Sequence, residues 1–84
     1  MDAAMLNNRK RRPTHPGELL REELLPATGL TQSELARMMG ISRRALIELC
    51  QERRGVTADL AHRLAIVFGT TPDVWIDMQS AVDI

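Results

Sequence analysis

The sequence predicts an all-α domain of about five helices, because its apolar residues recur at helical spacing and no stretch alternates as a strand would. Threonine or serine precedes several of the apolar runs and glycine follows them, which is the usual pattern of helix starts and ends. We therefore expect residues 14–84 to form a single domain of the 84-residue chain. Residues 1–13 lack this periodicity and are rich in basic residues, so we expect a mobile N-terminal tail there.

The clearest local signals lie in the middle of the chain. Thr31 and Glu34 have the spacing of a capping box, in which each side chain accepts a hydrogen bond from the backbone of the other residue. Gly40 supplies the left-handed residue that ends this helix, and Ser42 is the expected N-cap of the next. The pattern predicts one helix over residues 32–39 and another over residues 43–51.

Three further helices are expected on the same grounds. The first starts at Pro16, and we expect Pro26 and Gly29 to end it. The fourth follows Thr57 and the fifth follows Thr71, since each threonine precedes a run with helical spacing.

The formal net charge is zero, with eleven basic and eleven acidic side chains, whereas nucleic-acid-binding domains usually carry a basic excess. The charge is nevertheless segregated along the chain. Residues 1–63 hold all eleven basic and eight acidic residues, while residues 64–84 hold three aspartates and no basic residue. Ten of the eleven cations are arginine, whose planar guanidinium group suits phosphates and guanine edges. The composition is thus compatible with a nucleic-acid partner.

The helix predicted over residues 43–51 has one apolar side and one polar side. At about 100° per residue, the residues of the polar side fall within an arc of about 140°. This side begins at the N-terminus of the helix. In DNA-binding proteins that insert a helix into the major groove, this end of the helix contacts the edges of the bases. The residues that we expect it to present are Arg43, Arg44, Ile47, Glu48 and Gln51.

Each side chain on the polar side suggests a particular contact with DNA. Arg43 and Arg44 are predicted to contact bases or phosphates, and Ile47 could touch a thymine methyl group. Glu48 would repel phosphates unless it accepts from a cytosine amino group or pairs with Arg44 one turn earlier. Glu48 is therefore either a specificity residue or a neutralised one.

Flanking residues are expected to contact the DNA backbone. Gln32 starts the preceding helix, and Arg53 and Arg54 lie in the following loop, so each could bind a phosphate. Two short helices separated by a glycine turn, with two arginines at the start of the second, are typical of a helix-turn-helix DNA reader.

The last helix has more apolar surface than one helix of a small bundle readily covers, so we expect it to contact a second copy of the chain. Alternatively, Trp75 closes the core of a single chain, because it stands at the staple position of its helix. A dimer would set two recognition helices about 34 Å apart and require a palindromic operator. The expected interface residues are Trp75, Ile76, Met78 and Val82.

Several other classes are disfavoured by the composition. Cys50, the single cysteine, is expected in the core, and neither His15 nor His62 stands at ligand spacing from it, so no metal site or cofactor is expected. No apolar run is long enough for a membrane span or a signal peptide, which favours a cytoplasmic protein. No catalytic triad or glycine-rich phosphate loop is present, so we do not expect an enzyme.

Residues 30–54 resemble the lambda-repressor/Cro-like (XRE) helix-turn-helix superfamily. Within it, three flanking stretches are similar to the HigA-type antitoxins. They are residues 15–20 (HPGELL), 55–65 (GVTADLAHRLA) and 68–79 (FGTTPDVWIDMQ).

The resemblance implies a dimeric repressor that binds the operator of its own toxin–antitoxin operon and also silences a RelE-like toxin that cuts messenger RNA on the ribosome. The chain departs from many relatives at Gln51-Glu52, where they have Asn-Gly at the end of the recognition helix. The DNA contacts that the resemblance implies fall on Gln32, Ser42, Arg43, Arg44 and Glu48, and more loosely on Arg53.

Two other functions stay open at this point. One is a solitary phage-type or restriction-controller repressor that has no toxin partner. The other is a protein-only toxin neutraliser whose helix-turn-helix no longer reads DNA, which the zero net charge leaves possible.

Overall fold

The computed structural model describes residues 13–83, and this range contains five helices joined by short turns and loops. Within this range there is no strand, and no helix is long and apolar enough to cross a membrane. The all-α prediction is confirmed. The predicted tail, apart from Pro13, lies outside the described residues. The helices are α1 (residues 16–28), α2 (Gln32–Met39), α3 (Arg43–Cys50), α4 (Ala58–Phe68) and α5 (Pro72–Asp83).

The caps of α2 and α3 form as the sequence predicts. The Thr31 hydroxyl accepts from the Glu34 N–H at 3.0 Å, and the Glu34 carboxylate accepts from the Thr31 N–H at 2.9 Å. These bonds from Thr31 lower the pKa of Glu34. Gly40 ends α2 with a φ of 71°, and Ser42 caps α3 by accepting from the Ala45 N–H at 3.0 Å. Local chemistry therefore fixes both ends of the turn between the two helices.

The expectation that Pro26 ends α1 is wrong. A π-helical turn, Leu20–Leu24, lies directly before the proline, and the Leu25 N–H bonds to the Leu20 carbonyl five residues back. The wider turn accommodates a residue that has no N–H to donate, so the helix continues to Thr28. Gly29, with a φ of 74°, then ends it as predicted.

The start of α1 packs directly on the end of α3. His15 is the N-cap of α1, and its buried ring accepts from the Gly17 N–H through Nδ1 at 2.9 Å. A Cβ at Gly17 would lie 1.8 Å from the carbonyl oxygen of Leu49. Only glycine lets the two helices approach this closely, so the backbone of α1 sets the position of α3.

Trp75 lies in the core, not at a surface available to a second copy. Its side chain is 1% exposed, its Nε1–H donates to the Thr70 hydroxyl at 2.9 Å, and its ring is 6.0 Å from that of Phe68. The expectation that Trp75 contacts a partner copy is therefore wrong, because its ring and its only donor are already used within the chain. The other expected interface residues are half-buried: Ile76, Met78 and Val82.

We predict that Gly17→Ala destabilises the fold by about 1–3 kcal/mol, since the new methyl group must push α1 away from α3. Gly29→Ala is the matched control, because nothing lies within 4 Å of the place that its new methyl group would take, and the change costs only left-handed strain of about 1 kcal/mol. Urea unfolding of both variants measures the difference. A Gly17→Ala protein at least as stable as Gly29→Ala would contradict the close approach.

Candidate nucleic-acid interface

Helix α3 has the two sides that its sequence predicts. Leu46, Leu49 and Cys50 are buried in the core, while Arg43 and Arg44 are exposed at its N-terminus. Burial of the apolar side fixes the rotation of the helix, so its polar side faces outward.

The N-terminal turn of α3 is open to a ligand. The Arg44 side chain is 89% exposed, and Arg43 is exposed and forms no ion pair with any residue from 13 to 83. Ser42 accepts the capping bond through its oxygen, so its hydroxyl hydrogen is still available to an acceptor. Two cations, a hydroxyl donor and the positive end of a helix dipole thus meet at one point, which suits a polyanion.

The middle of the polar side is less exposed than the sequence suggests. Ile47 is half-buried, at the border between the two sides of the helix. Glu48 pairs with Arg44 as expected, but the 3.4 Å contact is long. Its shorter contact, 2.8 Å, is to Arg54 in the following loop. These two arginines, Arg54 first, lower the pKa of Glu48, so the carboxylate is ionised at neutral pH.

The end of α3 uses a left-handed residue that is not glycine. Glu52 has a φ of 63° and lies in a Schellman-type turn, in which its N–H bonds to the Leu49 carbonyl and the Arg53 N–H to the Glu48 carbonyl. Gln51 is the exposed C-cap, and its side-chain oxygen accepts from Arg53 at 3.4 Å. This chain therefore makes the left-handed turn with a glutamate, at some backbone strain.

Arg21 of α1 holds this turn in place. Its guanidinium group donates to the carbonyl oxygen of Cys50 at 2.5 Å and to the carboxylate of Glu52 at 3.2 Å. Arg21 also donates a hydrogen bond to the carboxylate of Glu22, and its bonds to Glu22 and Glu52 raise the pKa of Arg21. A cation at the C-terminus of α3 complements the helix dipole and satisfies one of its free carbonyls.

The loop after α3 is anchored at its other end by α5. The Gln79 side chain accepts from the Val56 N–H at 2.8 Å, and a Cβ at Gly55 would lie only 3.0 Å from the same amide. Arg53 and Arg54 are thus exposed on a short segment that is bonded to α3 at one end and to α5 at the other.

Gln32 is half-buried at the start of α2, near the thiol of Cys50, whose pKa it lowers slightly. Burial is the larger influence on that thiol and raises its pKa, so Cys50 is a core residue, as predicted. Because Gln32 is half-buried, only part of its side chain is accessible to a phosphate.

Residues that the sequence did not single out hold the interface in position. Arg21 anchors the end of α3, Gln79 anchors the far end of the loop that follows it, and Arg63 of α4 donates to the Met39 carbonyl at the end of α2 at 2.8 Å. Arg63 also pairs with Asp59 one turn earlier, and this i,i+4 spacing was the one signal of its role in the sequence. Within residues 13–83 no group of three His, Cys, Asp or Glu side chains could hold a metal.

Residues 20–75 match the helix-turn-helix family. The chain is 42% identical over 76 residues to the antitoxin HigA-1 of Vibrio cholerae, a match that covers 89% of this chain and 70% of that protein. The curated relatives that it matches are longer, since the chain spans between 65% and 70% of their length.

Two similar solved structures contain DNA. One is the antitoxin GraA in complex with its operator, with a TM-score of 0.80 and 44% identity over 87% of this chain and 74% of that one. The other is the antitoxin HigA of Pseudomonas aeruginosa with the higBA promoter, with a TM-score of 0.82 and 38% identity over 86% of this chain and 78% of that one.

The strain at Glu52 yields a stability prediction. Glu52→Gly and Glu52→Ala both remove the pair with Arg21, but only glycine relaxes at a φ of 63°, so we expect Glu52→Gly to be the more stable variant by about 1 kcal/mol. Gln51, with a φ of −86°, is the control, and there alanine should be better than glycine by roughly 0.5–1 kcal/mol. Thermal and urea unfolding of the four variants measure both differences. Equal stability of the two Glu52 variants would refute the strain.

Proposed function

Because the chain belongs to the helix-turn-helix family, and within it to the HigA-type antitoxins, we propose that it is a sequence-specific DNA-binding repressor of its own toxin–antitoxin operon. In this proposal it binds a palindromic operator as a homodimer. It also neutralises a RelE-like toxin that cleaves messenger RNA.

The observation that carries the DNA-binding part is the contrast between the arginines. Arg21 and Arg63 are bonded to the carbonyl ends of α3 and α2 and have structural roles. Arg43 and Arg44, by contrast, stand exposed at the N-terminus of α3 and donate to no backbone carbonyl within residues 13–83. Two arginines without a structural role at the start of a recognition helix are what base and phosphate contacts require.

The proposed contacts fall into two groups. Arg43 reads a base edge in the major groove, with Ile47 beside it against an apolar base atom. The remaining contacts are to phosphates, and they set the register of the protein on the duplex. They come from Ser42, Arg44, Gln51, Arg53 and Arg54, with a smaller contribution from Gln32.

The two similar antitoxins solved with operator or promoter DNA support this function. The charge separation supports it as well. The zero net charge of the chain hides four exposed arginines at the start of α3 and in the loop after it, two of which, Arg44 and Arg54, pair with Glu48. A local basic surface of this kind, and not the total charge, decides how a domain interacts with DNA.

The dimer is proposed on the apolar residues of α5 that the core does not fully cover. Ile76, Met78 and Val82 are half-buried, and Val74 is 45% exposed on the same helix. Burial of this surface by a second copy would also stabilise a domain of this small size.

We predict that Arg43→Ala and Arg44→Ala each weaken operator binding, by roughly 1–3 kcal/mol for an arginine that is bidentate to guanine and by less for one that contacts a phosphate. The thermal stability should not change, because neither side chain is buried. DNase footprinting on the DNA upstream of the gene defines the site, and fluorescence anisotropy at two salt concentrations gives the affinities.

Arg37→Ala is the matched control, since it removes the same charge from an exposed position on α2 that lines a surface cleft together with Ile66 of α4. Its operator affinity should stay close to that of the wild type. If the wild-type protein binds the operator no more tightly than other DNA sequences, the proposed repressor function is refuted. If the Arg43→Ala, Arg44→Ala double variant binds the operator as tightly as the wild type, the proposed role of α3 is refuted.

The toxin part of the proposal is tested separately. A reading frame for a toxin of about 90–110 codons should adjoin this gene. Its product should arrest growth when expressed alone, cleave messenger RNA, and co-purify with this chain in an inactive complex. A neighbouring product that neither binds the chain nor cleaves RNA would leave a solitary repressor.

A further inference from the structure

Glu48 is an acidic residue at the centre of a surface that is proposed to bind a polyanion. Its side chain is 27% exposed, and it lies between Arg44 on its own helix and Arg54 in the loop that follows. An isolated carboxylate here would repel phosphates, so its presence on this surface needs a physical reason.

The bonds to Glu48 occupy only one edge of each arginine. Arg54 uses Nε and Nη2, which donate to the same carboxylate oxygen at 3.2 and 2.8 Å. Arg44 uses Nε alone, which donates to the other oxygen at 3.4 Å. A guanidinium group has five N–H donors, so both arginines keep free donors on their outer edges.

The main chain of Glu48 holds the same loop. Its carbonyl accepts from the Arg53 N–H at 2.9 Å, so residue 48 contacts the loop through both its backbone and its side chain. The far end of the loop is bonded to Gln79. The Arg54 side chain therefore extends from a fixed backbone, and Glu48 restricts the rotation that remains.

We propose that Glu48 is a positioning residue for DNA binding, which orients the guanidinium groups of Arg44 and Arg54 for phosphate contacts and does not itself read a base. This inference rests on the proposed function. The carboxylate stays with its two arginines when DNA binds, and their free edges face the duplex.

Orientation of this kind favours the operator over other DNA. In the specific complex, α3 sits at one depth and register, so each phosphate occupies one place and a pre-oriented arginine loses little entropy on binding. In a non-specific complex the protein slides, and mobile arginines find phosphates equally well. Glu48 thus somewhat lowers the affinity for DNA of any sequence, through its negative charge, and increases the preference for the operator over other DNA.

The variant that tests this is Glu48→Gln, which keeps the size of the side chain but loses the charge that holds two guanidinium groups. The probes are the footprinted operator duplex and a duplex of the same length and composition with scrambled sequence. We expect the ratio of the two affinities to fall by about tenfold. Affinity for the scrambled duplex should stay equal or rise, because a negative charge has been removed.

A double-mutant cycle tests whether Glu48 acts through the arginines. In a chain with Arg44→Gln and Arg54→Gln, the further change Glu48→Gln should alter the affinity ratio by less than about twofold, because no guanidinium group is left to orient. An equal effect of Glu48→Gln in both backgrounds would overturn the proposal. So would an unchanged ratio in the single variant.

A scan of single base-pair substitutions in the operator separates positioning from base readout. If Glu48 only positions, the Glu48→Gln protein keeps the wild-type order of penalties along the operator. If Glu48 accepts from a cytosine, the penalty at one G·C pair disappears and the others stay, which would overturn the proposal.

Two controls keep the result interpretable. Glu23→Gln removes an exposed carboxylate from α1 and should leave the affinity ratio unchanged, so it accounts for net charge. Circular-dichroism melts of every variant should show the cooperative unfolding of a helical protein, because none of the changed side chains belongs to the buried core. If the wild-type protein shows no preference for the operator, both the proposed repressor function and the proposed role of Glu48 are refuted. If the protein prefers the operator but the effects of Glu48→Gln and the arginine changes are additive, only the role of Glu48 is refuted.

Discussion

The approach of Gly17 to the carbonyl oxygen of Leu49 is the contact on which the geometry of the surface depends. It brings the first turn of α1 onto the last turn of α3, and it is closer than any side chain would allow. Arg21, one turn further along α1, then reaches the Cys50 carbonyl and Glu52. The recognition helix is consequently held by its C-terminus, and its N-terminus is left free to contact a ligand.

The division of the arginines into two groups explains how a chain of zero net charge presents a basic surface. Arg21 and Arg63 bond to the carbonyl ends of two helices, whereas Arg43, Arg44, Arg53 and Arg54 are exposed, and Arg44 and Arg54 share the carboxylate of Glu48. The net charge of zero counts these six arginines together with every other basic and acidic residue of the chain, including the three aspartates of α5. The position of each charge therefore matters more than the total. Backbone carbonyls hold Arg21 and Arg63, and Glu48 holds Arg44 and Arg54.

Local rules were enough for the caps and the turn between α2 and α3, because the Thr31 box, Gly40 and Ser42 interact within four residues of sequence. Spacing also predicted the exposure of Arg43, Arg44 and Gln51 on α3, but not the half-burial of Ile47 and Glu48. Periodicity could not show that a π turn would carry α1 past Pro26, that Trp75 would find its donor partner within the chain, or that Arg54 would reach Glu48 around a left-handed turn. Each of these depends on backbone geometry or on contacts between segments that are distant in sequence.

In the proposed complex, the outward side of α3 enters the major groove of duplex DNA. Methylation of guanine N7 by dimethyl sulfate tests it most directly, since this atom lies on the floor of that groove and is the acceptor an arginine would occupy. We expect bound wild-type protein to protect guanine N7 at two positions about one helical turn apart. Full reactivity of every guanine N7 under a saturated footprint would contradict it, because the protein would then bind from the backbone or the minor groove.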